Sequence, residues 1–87
     1  DKKNYNLKGV ELYQKGAYPE SFKYFTKTLE SDPSNYKALY YRGLILWHEN
    51  KINKSIDEFS KAVKVKPHRG KAYSMRGAAY IIKGDYK

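Results

Sequence analysis

The sequence predicts an all-α chain: five helices arranged as a stack of antiparallel hairpins. Three observations carry that prediction. Residues of one type recur at a spacing of 34: Gly9, Gly43 and Gly77; Phe25 and Phe59; Pro33 and Pro67; Gly16, Asn50 and Gly84. A fixed period of this size marks tandem repeats, each one supersecondary unit. Within each segment the apolar residues follow the 3.6-residue period of an α-helix, and no segment reads as a strand. The gaps between segments are short and punctuated by Pro, Gly or Asn, so successive helices turn back on each other. At 87 residues a single closed core would be marginal, whereas stacked hairpins bury a continuous core between neighbours.

The elements follow in order. Asn4 to Lys15 reads as the first helix, with Tyr5, Gly9 and Leu12 on one face. Gly16 suits the left-handed residue that closes a helix. Pro19 suits a first helical position, where its missing N–H would be unpaired anyway. The second helix runs to Ser31 with the stripe Ser21, Phe25, Thr28 and Leu29, and Pro33 stops it. Ser34 or Asn35 can cap the third helix, Tyr36 to Glu49, by accepting from a free backbone N–H. Asn50 closes that helix. The fourth, Asn53 to Val65, carries Ser55, Phe59, Ala62 and Val63 on one stripe and ends before Pro67. The fifth, Gly70 to Lys83, is closed by Gly84. The expected repeats are 2–35, 36–69 and a partial third over 70–87 in a single domain.

Gly9, Gly43 and Gly77 lie inside helices, where Gly costs about 0.5–1 kcal/mol relative to Ala. Three helices accept that cost at one register position. The return is close approach of two helices where a Cβ would clash. Ser21 and Ser55, small residues on the partner helices, are expected at those crossings.

These residues resemble the tetratricopeptide repeat, whose pattern is W-x2-L-G-x2-Y, then A-x3-F, then P. The first repeat reads Tyr5-x2-Lys8-Gly9-x2-Leu12, Ser21-x3-Phe25, Pro33; the second reads Leu39-x2-Arg42-Gly43-x2-Leu46, Ser55-x3-Phe59, Pro67. The third reads Tyr73-x2-Arg76-Gly77-x2-Tyr80 and continues to Gly84-Asp85-Tyr86. The likeness covers essentially the whole chain: two repeats and the first helix of a third. It departs at Lys8, Arg42 and Arg76, where the pattern has Leu, and at Ser21 and Ser55, where it has Ala. The resemblance implies a right-handed superhelical solenoid. It also implies a non-catalytic interaction scaffold that holds a partner's peptide or helix in a concave groove lined by the first helix of each pair.

Helical phase assigns residues to that groove. Leu39, Gly43 and Leu46 face the second helix of their pair; Tyr40, Leu44 and Trp47 form the other line. The counterparts are Asn6, Val10 and Tyr13 in the first helix and Ser74, Ala78 and Ile81 in the fifth, bordered by Tyr41, Met75 and Ile82. Lys3, Lys37 and Lys71 make a ladder at the same 34-residue spacing, a row of donors for a partner's carboxylates or phosphates. The alternative for the ladder is three solvated lysines, and for Tyr40 and Trp47 it is ordinary core. Tyr40 is expected on the groove, while Trp47 is divided between groove and core.

Lys+Arg outnumber Asp+Glu by 18 to 9, for a net charge of +9. The excess points either to an acidic partner (nucleic acid, anionic lipid or an acidic peptide tail) or to a plain solvated surface; the basic residues are spread over the whole chain, so the solvated surface is the expectation for most of them. Nucleic acid is the second class, through Lys61, Lys64, Lys66, Arg69 and Lys71. A third reading compares the chain with co-chaperone repeat domains, which resemble it in fold and grip a C-terminal carboxylate with two Lys, two Asn and an Arg. Those roles fall on Asn6, Val10, Tyr41, Lys71 and Met75, and only Lys71 has the required chemistry, so strong binding of that tail is not expected. Tyr73, Gly77 and Tyr80 of the fifth helix form a face expected to self-associate, or to be covered by another molecule or by more repeats. The chain opens on Asp1 rather than Met and reads as a section of something longer.

There is no Cys, which removes disulfides and thiolate metal sites. No apolar run could cross a bilayer, and no stretch reads as a signal peptide, so the cytoplasm is the expected compartment. His48 and His68 lie on different elements, and no nucleophile or carboxylate pair forms a recognisable constellation. Neither an enzyme nor a cofactor or metal is expected.

Overall fold

The computed structural model describes residues 5–67 and 70–84. It contains α1 (Tyr5–Gln14), α2 (Tyr18–Ser31), α3 (Tyr36–His48), α4 (Ile52–Val65) and α5 (Gly70–Lys83), joined by connections of three or four residues. The chain is an all-α stack of helical hairpins. α1 pairs with α2, α3 with α4, and α4 also packs on α5. α1, α3 and α5 form an inner layer, and α2 and α4 an outer one. Stacking stretches the molecule along one direction, to 43 × 25 × 17 Å.

Helix ends follow the turn chemistry. After α1, Gly16 has φ +81°, and the Ala17 amide donates to the Leu12 carbonyl at 2.9 Å. After α3, Asn50 takes φ +63°, and the Lys51 amide donates to Leu46 at 2.8 Å. Both are the six-to-one bond of a left-handed helix stop, 34 residues apart. Of the two cap candidates, Asn35 is the one used; its Oδ1 accepts from the Ala38 amide at 3.0 Å. α2 and α4 each begin one residue earlier than the sequence suggests, at Tyr18 and Ile52, so Pro19 occupies the second helical position. The earlier start is harmless because the Pro nitrogen still lies among the unpaired amides of the first turn. α1 ends one residue before Lys15, and α3 one before Glu49, which becomes its C-cap. Asn4 lies outside the described residues.

The glycine crossings are built as the spacing requires. An ideal Cβ on Gly9 would lie 2.7 Å from the Phe25 ring, and one on Gly43 would lie 2.5 Å from the Phe59 ring. The Ser21 hydroxyl donates to the Gly9 carbonyl at 2.7 Å, and Ser55 donates to Gly43 at 2.8 Å. All four of Ser21, Phe25, Ser55 and Phe59 are fully buried. Serine in place of the family's Ala therefore costs no unpaired hydroxyl, because each one satisfies a helix carbonyl.

Arg42 also finds a partner. On the outer side its Nε lies 3.3 Å from Glu58 Oε1, an ion-pair contact that lacks hydrogen-bond geometry. Nη2 reaches Glu58 Oε2 and Nη1 reaches Thr26 Oγ1, each at 3.4 Å. The guanidinium lies 4.5 Å over the Phe22 ring, and Lys61 bonds Glu58 Oε2 at 3.4 Å. A single arginine thus ties α3 to both α2 and α4. Among the described residues no helix is long and apolar enough to cross a membrane.

Candidate interaction surface

The inner layer carries a cleft of about 540 Å³ lined by Asn6 of α1, Tyr36, Lys37, Tyr40 and Tyr41 of α3, Lys71 of α5, and Asn35 and Lys66 from helix ends. The lining comprises three lysines, three tyrosines and two asparagines, with no carboxylate. Among the described residues none of the three lysines makes an ion pair. Lys66 instead holds its ammonium 4.6 Å over the Tyr36 ring.

The tyrosines form a rigid floor. Tyr36 and Tyr40 lie parallel at 6.2 Å, and Tyr41 meets Tyr40 edge-on at 5.4 Å. The Tyr36 hydroxyl accepts from the Ala72 amide at 2.9 Å, which joins α3 to the first turn of α5. Gly70 has φ +73°, and a Cβ there would run into that hydroxyl. Tyr41 stacks on the buried Phe25 ring at 5.1 Å, so the floor rests on the core. Burial, and secondarily the neighbouring Tyr41 and Tyr36, hold the Tyr40 hydroxyl above its ordinary pKa. Tyr13 is raised in the same sense, first by burial and then by Tyr18, Tyr40 and Tyr41.

The groove residues expected from helical phase and from the lysine ladder divide into four groups. Asn6, Lys37, Tyr40, Tyr41 and Lys71 line the inner cleft together. Val10 and Tyr13 are half-buried against the Phe25, Ala38 and Ile45 cluster. Leu44, Trp47 and Met75 are half-buried against Leu39, Phe59, Ala62, Val63 and Ala72. Trp47 meets Phe59 edge-on at 6.5 Å, so much of its ring belongs to the core. Ser74 and Ala78 line a shallower cleft of about 560 Å³ at the end of the stack, with Tyr73, Arg76, Gly77, Tyr80 and Ile81. Among the described residues α5 packs mainly on α4, so residues that α3 would turn inward stay at the rim.

Asn6 is not a free amide. Its Nδ2 donates to Asn35 Oδ1 at 3.0 Å, and its Oδ1 accepts from Thr28 at 2.8 Å. His48 lies beyond the cleft, with Nε2 2.9 Å from the Tyr13 hydroxyl and its ring stacked on Tyr18 at 5.0 Å. Lys3, His68 and Arg69 lie outside the described residues. The lysines around the second Pro turn separate: Lys66 and Lys71 line the inner cleft, while Lys61 and Lys64 lie with Pro33, Ser34, Leu39 and Val65. Tyr36, Asn35 and Lys66 were missed by phase reasoning. The signal for Lys66 was its place in the basic run, and for Tyr36 its place at the first turn of α3.

The tetratricopeptide repeat profile matches residues 36–69. Human DnaJ homolog subfamily C member 7 is 38% identical over 66 residues, covering 76% of this chain and 13% of the relative. A TPR repeat-containing protein of Borreliella burgdorferi is 35% identical over 59 residues, covering 68% of this chain and 26% of that protein. Two solved structures share the fold at 22% identity. The TPR2B domain of yeast Sti1, solved in a pHsp70 complex, superposes with a TM-score of 0.89 over 98% of this chain and 68% of its own. MamA AMB-1 gives 0.87 over 99% of this chain and 47% of its own. The chain thus spans a small part of the curated relatives it matches. It belongs to the tetratricopeptide repeat family, a family of protein-interaction scaffolds.

Proposed function

We propose that the wall formed by α1, α3 and α5 holds a segment of another protein. Acidic groups of that segment face Lys37, Lys66 and Lys71, and its apolar side chains lie on Tyr40 and Tyr41. The observation that carries this is the inner cleft itself, with three ammoniums that make no ion pair among the described residues, an aromatic floor, and no acid among its lining residues. Aromatic side chains serve as anchors at low entropic cost, and charge complementarity sets partner choice. The chain on this reading is a non-catalytic scaffold. A peptide array mixing acidic and apolar residues, probed with the wild-type chain and with Lys37→Glu and Tyr40→Ala, tests it. Both variants should lose the peptides that the wild type selects; retention of the same peptides by both would remove the cleft from the account.

Nucleic acid is the competing partner. Such binding would fall steeply between 50 and 200 mM salt, by a power set by the number of phosphates contacted. A gel shift that survives physiological salt would favour it. The likeness to a DnaJ homolog and to a domain solved with pHsp70 raises the co-chaperone-type reading. The five positions that would grip a C-terminal carboxylate hold Asn6, Val10, Tyr41, Lys71 and Met75. Val10 and Tyr41 supply no amide, and Asn6 spends its own on Asn35 and Thr28. Low-micromolar binding of such a tail would contradict this assignment.

A second face is proposed at the end of the stack. Tyr73, Gly77 and Tyr80 of α5 offer a surface on which another copy of the chain packs, with the +9 charge making that association stronger at high salt. A monomer mass by light scattering at high concentration and high salt would refute self-association.

A further inference from the structure

We infer that the group held by the inner cleft is a phosphate monoester, carried on a serine, threonine or tyrosine of the partner segment, rather than a carboxylate. The inference rests on the proposal that this cleft receives a partner, and it names the chemistry at the centre of the contact.

The lysines are placed for an anion from outside the chain. Lys37 and Lys71 are each the second residue of their helix, α3 and α5. The positive end of the helix dipole favours an acid there and disfavours a cation. Neither first turn contains an acid. The Tyr36 hydroxyl accepts from the Ala72 amide at 2.9 Å, which ties the two first turns together, so both lysines start from one fixed base. Lys66 joins them from the C-cap of α4, with its ammonium 4.6 Å over the Tyr36 ring. Chain continuing from α5 leaves at the far end of that helix, about 18 Å from Lys71 at 1.5 Å per residue, and so departs from the cleft rather than entering it.

The uncharged groups that would orient a carboxylate are already engaged. Asn6 donates to Asn35 and accepts from Thr28. Asn35 donates to Asp32 Oδ2 at 3.1 Å, and its own oxygen takes both the Asn6 amide and the Ala38 backbone N–H. Recognition is left to three ammoniums, so the charge on the incoming group decides its strength. A carboxylate brings one charge. A phosphate monoester brings about −1.5 to −2 at pH 7 and three acceptor oxygens, one for each ammonium. The planar fork that suits a carboxylate belongs to arginine, whereas lysine is a point donor. This chain sets Arg42 on the Glu58 carboxylate and keeps lysines for the cleft.

The test is the peptide array made in three versions, with serine, glutamate or phosphoserine at one central position, followed by titration of the best phosphoserine sequence in solution. The phosphoserine form should bind about tenfold more tightly than the glutamate form, and Lys37→Gln and Lys71→Gln should each weaken it about tenfold. The cleft lining has no His, Asp or Glu, so a change between pH 7 and 5.5 reports the ligand. With a second phosphate pKa near 6, the phosphoserine form should weaken about fourfold over that range, and the glutamate form less than about twofold. Inorganic phosphate should compete only at far higher concentration, because it carries nothing to lie on Tyr40 and Tyr41. Equal binding of the glutamate and phosphoserine forms would overturn the inference and leave the acidic-partner reading standing. Phosphoserine binding indifferent to both lysine variants would overturn the inference and the cleft together, as would no binding of any version. Displacement of the peptide by inorganic phosphate at the peptide's own concentration would assign the cleft to a free anion, and displacement by a single-stranded oligonucleotide of equal charge would assign it to nucleic acid; either result overturns the inference.

Discussion

Two clefts of nearly equal size lie on opposite sides of α3, and their charges are arranged in opposite ways. The outer one, about 580 Å³, is lined by Lys23, Arg42, Lys51, Lys54 and Lys61 but also by Glu49, Asp57 and Glu58. Its central pair is nearly closed from water, with the Glu58 side chain 7% exposed. The inner one, about 540 Å³, has three lysines and no acid. On the outer side Arg42 ties α3 to α2 and α4, Lys61 pairs with Glu58 and Lys51 with Glu49, whereas among the described residues none of the three inner lysines makes an ion pair. The overall charge of +9 could not reveal this division, which depends on where the nine acidic residues fall.

Breaking the outer cleft should cost most. Glu58→Leu leaves Arg42 partly buried without its counter-charge, and an unfolding free energy lower by about 3 kcal/mol is expected from urea melts. Adding Arg42→Leu should recover most of it, because replacing both partners removes the orphaned charge. A single substitution costing under about 1 kcal/mol would mean that the pair is effectively solvated.

The seam between the two clefts comes next. Gly43→Ala drives a Cβ into the Phe59 ring and should cost about 1–3 kcal/mol, as overpacking does. Gly77→Ala meets nothing and should gain about 0.5–1 kcal/mol from helix propensity alone. The opposite signs, measured by the same melts, sharpen the contrast between a filled and an open face.

On the inner side, Lys37→Glu and Lys66→Glu should each change stability by no more than about 0.5 kcal/mol. Each should nonetheless weaken an acidic peptide about tenfold, as the loss of a complementary charge does. The smallest effect is a pH dependence. Tyr13 and Tyr40 have folded pKa values raised above 10.0, so the stability they contribute is complete below about pH 10 and is lost as pH rises through the folded values. Tyr40→Phe should flatten that alkaline decline in melts between pH 9 and 11.

Most of the stack was legible in the sequence because its determinants repeat. Gly9 with Ser21 and Phe25, and Gly43 with Ser55 and Phe59, announce a helix crossing twice over. Gly16 and Asn50 announce the same turn. Arg42 was harder to place: against the family pattern it looks like a packing defect. Its partner Glu58 lies 16 residues on, and only the crossing of α3 and α4 brings the two together. In the inner cleft Asn6, Tyr40 and Tyr41 follow from helical phase, and Lys37 and Lys71 from the ladder at 34-residue spacing. Tyr36, Asn35 and Lys66 do not, since each sits at a helix end whose direction is set by a turn. Phase also places Trp47 on the groove line, but it cannot weigh how much of a large ring the neighbouring Phe59 will claim.

The account depends most on the inner wall being the one that receives a partner. Its direct test is amide chemical-shift mapping of the ¹⁵N-labelled chain saturated with an acidic–apolar peptide selected from the array. The shifts are expected at Lys37, Tyr40, Tyr41, Lys66 and Lys71, with Lys23, Lys54 and Asp57 unmoved. Shifts gathered on the outer residues, with the inner five unmoved, would contradict it.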